Sequence, residues 1–431
     1  MSKYRVSGFL FVLLLTGTDR FNNSTTGMAD IKRKIINDPV YGFITINNPL
    51  IFSIIAHPWY QRLRRIQQMA MAQLVYPGAV HTRLHHSLGA YHLMSCAVAE
   101  LRSKGVEITD DEEIAVKAGI LLHDIGHGPF SHALEHVLVE GVHHEQLSLQ
   151  IMHAINKELN GQLDLAINIF TDQYHKPFLH QLISGQLDVD RMDYLSRDSF
   201  YSGVSEGVIG YDRILKMLVV HEGQLMVEEK GIYSVEKFLV ARRQMYWQVY
   251  LHKTVMAAEK MLVKILERVR HIYTASDTQL ITLSELDFFL GKFNGQMDDA
   301  ALEKFCSIDD HDVMHAIKRW SKHPDKLLSL LCTRFLNRQL YKVRIQAEPF
   351  EEAFIAQKKE QAIQQFCIDP ADIEYLCFTG EATNTLYQTK DERINILFKD
   401  GTVTEISRIE NALIQQNLSA AVKKFYICLL T

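Results

Sequence analysis

The sequence LLHDIGHGPFSH occupies residues 121–132 and decides the predicted fold. An apolar run ends there in an adjacent His123–Asp124 pair, followed at once by glycines, a proline and two more histidines. An imidazole and a carboxylate buried side by side are costly unless a partner compensates them. A cation with oxygen and imidazole ligands is one such partner. The stretch therefore predicts a buried helix that ends at one side of a metal site.

Histidines are concentrated around this stretch, since eleven of the twenty lie between His81 and His153. Two imidazoles and two carboxylates could hold Mg, Mn, Fe or Zn and leave positions for water and a phosphate. For any one of these side chains alone, a core histidine or a capping aspartate is the commoner explanation. The candidate ligands are His86, His123, Asp124 and Asp190.

The chain around the stretch has a mainly helical pattern. Residues 34–46 are β-rich and predict a short hairpin. Apolar periodicity and capping residues predict a helix at about 83–103 and another that starts near 110 or 111 and ends at Gly126 or Gly128. Further helices are expected at about 145–159, 163–172, 176–187, 189–199, 209–220 and, as one long helix, 234–273.

After about residue 330 the pattern changes to that of a small α+β domain. Strands are expected near 342–345, 373–378 and 425–429, with a helix near 350–366. Residues 394–403 predict a hairpin with a type I′ Asp-Gly turn. The predicted domains are therefore a helical core over 28–330 and an α+β domain over 331–431.

The first 27 residues are expected to be a disordered leader or not part of the native protein. The apolar run at 8–15 follows Lys3 and Arg5 and has the shape of a signal-peptide core, which leaves targeting as the alternative. The run is too short to span a bilayer. Met28 starts a plausible cytosolic sequence.

Composition favours a cytoplasmic globular protein without a membrane partner. The net charge of −5 shows no overall excess of positive charge, so nucleic acid is not the default partner. A local basic groove that binds nucleic acid remains an alternative. The six cysteines show no CxxC spacing, which favours reduced thiols over disulfides or a zinc knuckle.

The ordered set His86, His123-Asp124 and Asp190 resembles the signature of the HD-domain metal-dependent phosphohydrolases. Residues 76–89, 121–132 and 188–198 are similar to one branch in particular, the deoxynucleoside triphosphate triphosphohydrolases of the sterile-alpha-motif-and-HD-domain type. The resemblance runs from about Lys34 to Lys253 and more weakly to the C-terminus, and no sterile-alpha-motif domain is expected ahead of it.

The resemblance implies a mainly α fold, an HD-domain helical core with a small C-terminal α+β domain. It implies one divalent metal ion and attack of water at the α-phosphorus of a dNTP, dGTPase-like, giving a deoxynucleoside and triphosphate. It also implies a homo-oligomer, a dimer or tetramer, with a nucleotide activator.

Residue roles follow from the same resemblance. The metal would be bound by His86, His123, Asp124 and Asp190. Phosphate contact or proton transfer falls to Arg83, His127, His132 and His144. Among the substrate contacts that it implies, Arg191 and Arg242 would bind phosphate, Tyr194 and Asp198 would meet the sugar 3′-hydroxyl, and Gln68 and Met69 would line the sugar pocket. Tyr250 would stack near the sugar, and Asp188 and Tyr246 complete the substrate-binding set. An allosteric nucleotide would meet Lys34, Gln61 and Arg64.

Three departures from the family pattern limit the transfer. Arg191 stands where the family has lysine, which suits bidentate phosphate contact. Tyr246 replaces a histidine of the base pocket, so base preference is not carried over. Ala56-His57-Pro58 replaces Asp-Thr-Pro, whose aspartate reads guanine, so guanine selection is not carried over to the activator site.

Two other functions stay open. One is an HD-type nucleotidase or phosphodiesterase acting on monophosphates, cyclic dinucleotides or nucleic-acid ends, which would release phosphate instead of triphosphate. The other is a nucleotide- or nucleic-acid-binding regulator without turnover. The complete ligand set argues against the regulator.

Overall fold

The computed structural model describes residues 33–139, 141–274, 277–384, 393–409 and 422–431, without the side chains of His132, His136, Asn384 and Val422. The predicted leader, residues 1–27, lies outside this part of the chain.

The described residues are mainly helical, as predicted. The helices are α1 (Pro49–Ala56), α2 (Pro58–Gln61), α3 (Arg83–Ser103), α4 (Asp110–Leu122), α5 (Glu135–Leu138), α6 (His144–Glu158), α7 (Asp164–Phe170), α8 (Pro177–Ile183), α9 (Val189–Ser202), α10 (Tyr211–Met217), α11 (Ile232–Met245), α12 (Lys253–Ile272), α13 (Leu286–Gly291), α14 (Asp299–Phe305), α15 (Asp310–Trp320), α16 (Lys326–Leu336) and α17 (Glu352–Phe366).

Three small sheets accompany the helices. Their strands are β1 (Lys34–Asp38), β2 (Gly42–Ile46), β3 (Leu218–His221), β4 (Gln224–Glu228), β5 (Lys342–Gln346), β6 (Cys377–Asn384), β7 (Asn395–Leu397), β8 (Val403–Glu405) and β9 (Val422–Leu429). The first two strands form the predicted hairpin, and the other sheets have the orders β3-β4-β7-β8 and β5-β9-β6. Because β7 pairs in parallel with β4, the C-terminal segment shares a sheet with the helical part. The domain division near residue 330 stays a prediction.

Close packing of α3 against α4 and α9 positions the site. Gly89 on α3 makes the approach to α9 possible, because a methyl group there would collide with Asp193 and Arg197. The Ser87 hydroxyl donates to the Leu121 carbonyl at 2.8 Å and ties α3 to the end of α4. Helix α4 begins at a capping box formed by Thr109 and Glu112. The histidine of α3 thus comes to lie beside the His-Asp pair.

Helix 234–273, predicted as continuous, is interrupted. Helix α11 ends at Met245, a π-helical turn covers Tyr246–Tyr250, and α12 starts at Lys253. A π-turn adds a residue to the helical repeat and changes the direction of the side chains that follow. Apolar periodicity continues through such a turn and therefore does not reveal it.

Three smaller predictions are also corrected. The stretch predicted as a strand at 373–378 is largely a 3₁₀ turn, Pro370–Tyr375, because Asp369 caps its first turn. The predicted helix 209–220 stops at Met217, and its tail is β3. The turn near Asp400 is not type I′. Only Gly401 has positive φ there, and its N–H bonds to the Phe398 carbonyl, as in a type I turn followed by a left-handed glycine.

None of the described helices combines the length and the apolar character needed to traverse a lipid bilayer.

Candidate metal centre

Three side chains from three helical segments converge on one point. His86 comes from the first turns of α3, His123 caps the end of α4, and Asp190 stands in the first turn of α9. The Asp190 carboxylate lies 3.0 Å from His86 Nε2 and 3.3 Å from His123 Nε2, and the two Nε2 atoms are 3.4 Å apart. The sequence predicted all three as ligands, and among the described residues they are the group that could hold a metal ion.

Hydrogen bonds on the far side of each ring direct both Nε2 atoms at this point. His86 Nδ1 lies 2.7 Å from Asp193 Oδ2, and His123 Nδ1 lies 2.6 Å from the Ile120 carbonyl. Both partners accept hydrogen bonds, so each Nδ1 carries a proton, and in a metal-bound site each Nε2 would present its lone pair to the ion. Two lone pairs and a carboxylate facing one another repel unless a cation lies between them. The donor chemistry therefore fits a divalent metal.

The spacing of the donor atoms also fits. Zinc and magnesium have ligand bonds of about 2.0–2.2 Å, which place neighbouring ligand atoms about 3.0–3.5 Å apart. The separations of 3.0, 3.3 and 3.4 Å fall in this interval. Imidazole and carboxylate donors suit several first-row metals as well as magnesium, so the donor set leaves the metal's identity open.

The pKa shifts of the same groups point to a site that favours positive charge. Burial opposes protonation of His86, but Asp190 and Asp193 raise its pKa to about 10. Burial works against ionisation of Asp190 too, yet His123 and His86 hold its pKa well below the ordinary range. A cation would occupy the place that a proton takes in the metal-free site.

Asp124, the fourth predicted ligand, borders this point. Its Oδ1 lies 3.4 Å from His123 Nε2, and its Oδ2 lies 3.5 Å from His86 Nε2. The same carboxylate is hydrogen bonded by Arg83, whose Nε also donates to Ser131 Oγ at 2.7 Å. Asp124 therefore contacts both the imidazoles and the predicted phosphate-binding arginine, and its coordination of the metal stays a prediction.

The sequence did not reveal Asp193 as a functional residue. It is fully buried, holds His86 Nδ1, and is paired with Arg197, which in turn contacts Asp38 at 2.8 Å. Asp190, Asp193 and Arg197 are spaced three and four residues apart on α9. That spacing was the available signal, because it places them on one helix face.

Asp193→Asn should weaken metal binding. Partners that orient a metal-bound imidazole typically contribute 10–100-fold to metal affinity, and we expect a loss of about that size. The melting temperature should also fall, because buried Arg197 keeps only one full carboxylate partner. Titration calorimetry with Mn²⁺ checks the first effect. Ser196→Ala on the same helix is the control, and unchanged affinity in Asp193→Asn would contradict the orienting role.

The predicted catalytic histidines lie next to Asp124. His127 Nε2 is 3.4 Å from Asp124 Oδ1, and the His144 ring stacks on the His127 ring at 4.0 Å. Glu135, which the sequence did not single out, orients His144 through contacts of 2.7 Å to Nδ1 and 2.9 Å to the backbone N–H. The prediction for the His132 side chain lies outside the described part of the chain.

The residues predicted on the phosphate side contact neighbouring side chains near the start of α9. Asp188 caps α9 by accepting from the Arg191 N–H at 2.7 Å and lies 3.2 Å from Arg191 Nε; burial raises its pKa to about 6. Its carboxylate is thus used structurally, and substrate contact stays a prediction. Arg191 also interacts with the Tyr194 hydroxyl, and Arg242 donates to Gln186 at 3.2 Å.

The predicted sugar-side residues form a second network. The Tyr250 hydroxyl donates to Asp198 Oδ2 at 2.7 Å, and His81, absent from the predicted site, lies 2.7 Å from the other oxygen. The Tyr250 ring is 6.5 Å from Tyr194 and 6.1 Å from Tyr246. Tyr246 and Tyr250 are the first and last residues of the π-helical turn.

Gln68 and Met69 follow the segment that pairs with residues 81–83. The Gln68 N–H donates to the His81 carbonyl at 3.0 Å, and Met69 is buried. The Gln68 side-chain oxygen is buried without a hydrogen-bond partner, and substrate contact by Gln68 and Met69 stays a prediction.

The three predicted activator-binding residues surround α1. The Lys34 ammonium lies 4.1 Å from the centre of the Phe52 ring. Gln61 donates to the Ile55 carbonyl at 2.6 Å and accepts from Arg64 at 2.6 Å. Lys34 thus contacts one residue of α1 and Gln61 another, and nucleotide binding by these residues stays a prediction.

Comparison with known families gives a consistent result. The family model of the HD domain matches residues 83–198, and the family model of the HD associated region matches residues 209–292. The first match contains all four predicted metal ligands.

Individual relatives cover most of the chain. A crystal structure of a phosphohydrolase from Bacteroides thetaiotaomicron is 50% identical, with a TM-score of 0.89 over 93% of this chain and 100% of that one. An uncharacterized protein of Bacillus subtilis is 31% identical over 395 residues, 89% of each chain. A Dictyostelium discoideum homolog of the deoxynucleoside triphosphate triphosphohydrolase SAMHD1 is 28% identical over 346 residues, 75% of this chain and 62% of the relative.

Proposed function

Because the chain belongs to the HD-domain phosphohydrolase family, we propose that it hydrolyses deoxynucleoside triphosphates to deoxynucleoside and inorganic triphosphate. The observation that carries the proposal is the continuity of contacts around the candidate metal centre. Arg191 directly follows Asp190 in α9 and interacts with Tyr194, whose ring lies 6.5 Å from that of Tyr250. Cationic groups for a polyphosphate and aromatic groups for a nucleoside thus adjoin the same centre.

The arginines suit a triphosphate. Planar guanidinium groups bind phosphate through paired hydrogen bonds, and Arg83, Arg191 and Arg242 come from three different helices. Arg83 reaches the edge of the metal centre through Asp124, which favours the α-phosphate as its partner. A site for a monophosphate would need fewer cations than this.

A bound divalent ion would polarise water and the phosphoryl oxygens. The oxygen of water loses a proton and forms a bond to the α-phosphorus, the bond from that phosphorus to the sugar 5′-oxygen breaks, and the deoxynucleoside leaves while the water oxygen stays on the triphosphate. Arg83 stabilises the negative charge that develops on the phosphoryl oxygens. The 5′-oxygen needs a proton. Among the described side chains, we assign this proton transfer to His144, which is held by Glu135 and stacked on His127.

The sugar side favours a deoxynucleoside. Asp198 is held by both His81 and Tyr250, so its oxygens are fixed for a hydrogen bond from a 3′-hydroxyl. Buried Met69 beside Gln68 gives an apolar wall that leaves a 2′-hydroxyl without compensation.

A product assay tests the proposal. Metal-loaded protein is incubated with each dNTP and NTP in Mg²⁺, Mn²⁺, Fe²⁺ or Zn²⁺, with and without GTP or a second dNTP as activator, and products are resolved by anion exchange. We expect deoxynucleoside and triphosphate in equal amounts. Release of phosphate would favour a nucleotidase or phosphodiesterase, and tight binding without turnover in every metal would favour a regulator.

We also propose a homo-oligomer in which a nucleotide binds beside Lys34, Gln61 and Arg64. Two exposed apolar side chains on the hairpin near this region, Ile35 and Phe43, support it. Light scattering during the product assay, with and without activator, measures the assembly directly.

A further inference from the structure

The loop after the His-Asp pair adopts an unusual backbone. Phe130 and Ser131 have φ of 52° and 51°, in the left-handed region that residues other than glycine rarely occupy. Such a conformation persists only where the surroundings impose it. The loop carries His127 and Ser131, and Ser131 Oγ receives the Arg83 Nε hydrogen bond. What imposes this backbone therefore also sets the position of Arg83.

Asp310, the first residue of α15, contacts this loop and a second one. Its Oδ1 accepts the Phe130 N–H at 2.7 Å, and its Oδ2 accepts the Gln67 N–H at 2.8 Å. Gln67 immediately precedes Gln68 and Met69 of the predicted sugar pocket. Only 5% of Asp310 is exposed, so water does not substitute for either bond. One carboxylate thus joins the phosphate side and the sugar side of the site.

Arg62 holds the other end of the same loop. It is fully buried, and its Nη2 donates to the carbonyls of Ile125 at 2.9 Å and His127 at 3.0 Å. Its Nη1 donates to the Ile308 carbonyl at 3.2 Å, next to the start of α15. Phe305 packs beneath the guanidinium, 5.0 Å away, and lies so near Gly128 that a side chain there would crowd its ring.

We propose that Asp310 and Arg62 are positioning residues of the active site. Together they hold the loop 125–131 so that Arg83 and His127 meet the phosphates of the substrate. This role at the phosphates rests on the function proposed above. Asp310 lies beyond both matched family regions, which end at residue 292. The helix that begins at Asp310 would then have a role in catalysis, in addition to its packing role.

Asp310→Asn is the sharpest test, because the two side chains have the same shape. An aspartate accepts both N–H groups, whereas an asparagine has one accepting oxygen and turns an NH₂ group toward the other. One of the two loops must therefore lose its bond. Asp312→Asn is the matched control. Asp312 stands two residues on in the same helix and, among the described residues, accepts just the Asp309 N–H of the capping box, which asparagine can also do.

Two measurements do not depend on turnover. In Asp310→Asn, amide hydrogen exchange should accelerate at least about tenfold in peptides covering 64–70 or 126–133 and stay unchanged elsewhere. Binding of inorganic triphosphate to the Mn²⁺-loaded protein should weaken about tenfold, with Mn²⁺ affinity unchanged. Asp312→Asn should match the wild type in both. If Asp310→Asn has the same hydrogen-exchange rates and the same triphosphate affinity as the wild type, the proposal is overturned.

Kinetics complete the test. For folded, metal-saturated protein we expect kcat for a dNTP to fall about 10–100-fold in Asp310→Asn, with the metal concentration for half-maximal activity unchanged. A residue that only stabilises the fold would lower the melting temperature and leave kcat per folded molecule intact, and that result would also overturn the proposal. An inactive wild type would refute the proposed function, while exchange and triphosphate binding would still decide the role of Asp310.

Discussion

Asp190→Ala should abolish metal binding and phosphohydrolase activity while the helical fold remains. One Asp190 oxygen lies 3.0 Å from His86 Nε2 and 3.3 Å from His123 Nε2, and the substitution removes the negative charge that holds a cation between them. We expect metal affinity and kcat each to fall by at least about 10³-fold, which corresponds to roughly 4 kcal/mol. Metal content by mass spectrometry, Mn²⁺ calorimetry and circular dichroism measure the three parts of this expectation.

Asp212→Ala is the matched control. Asp190 and Asp212 both stand in the first turn of a helix, so each loses the same favourable interaction with the helix dipole. Asp212 is exposed, and its substitution should leave metal binding and activity unchanged. Retained activity in Asp190→Ala would count against the metal centre itself.

Arg83→Gln should retain the metal and lose activity, whereas Asp190→Ala should lose both. The substitution removes a cation that contacts Asp124, so the ligands become more negative and metal affinity should hold or rise. The same change removes the guanidinium proposed for the α-phosphate. Loss of one strong donor to a developing oxyanion costs about 10²–10³-fold, and for a charged, bidentate donor we expect a fall in kcat/KM of about 10³-fold.

Arg102→Gln provides the comparison for this variant. Arg102 lies on the same helix α3 and pairs with Asp110 and Glu113 at the surface, so its loss should change stability slightly and activity not at all. A kcat/KM within a few-fold of the wild type in Arg83→Gln would show that this arginine serves only to pair with Asp124.

The metal centre was largely predictable from the sequence. His123 and Asp124 are adjacent at the end of an apolar helix, and His86 and Asp190 stand near the starts of two other helices. Burial of polar groups and the order of the motif together pointed to ligands. Three of the four lie within metal-ligating distance of one another.

The supporting residues could not be predicted in the same way. Asp310 and Phe130 are separated by 180 positions, and Arg62 and His127 by 65. Neither periodicity nor a local motif connects residues so far apart, because tertiary packing alone brings them together. Glu135 lies on a four-residue helix, too short for any repeat. The π-turn was missed because apolar spacing does not reveal one inserted residue.

Hydrolysis in water labelled with oxygen-18 tests the central claim most directly. The metal-loaded protein is incubated with a dNTP, the products are separated, and their oxygen-18 content is determined by mass spectrometry. Water attack at the α-phosphorus predicts one labelled oxygen in the triphosphate and none in the deoxynucleoside. Label in inorganic phosphate or pyrophosphate, or in the deoxynucleoside, would contradict the proposed reaction.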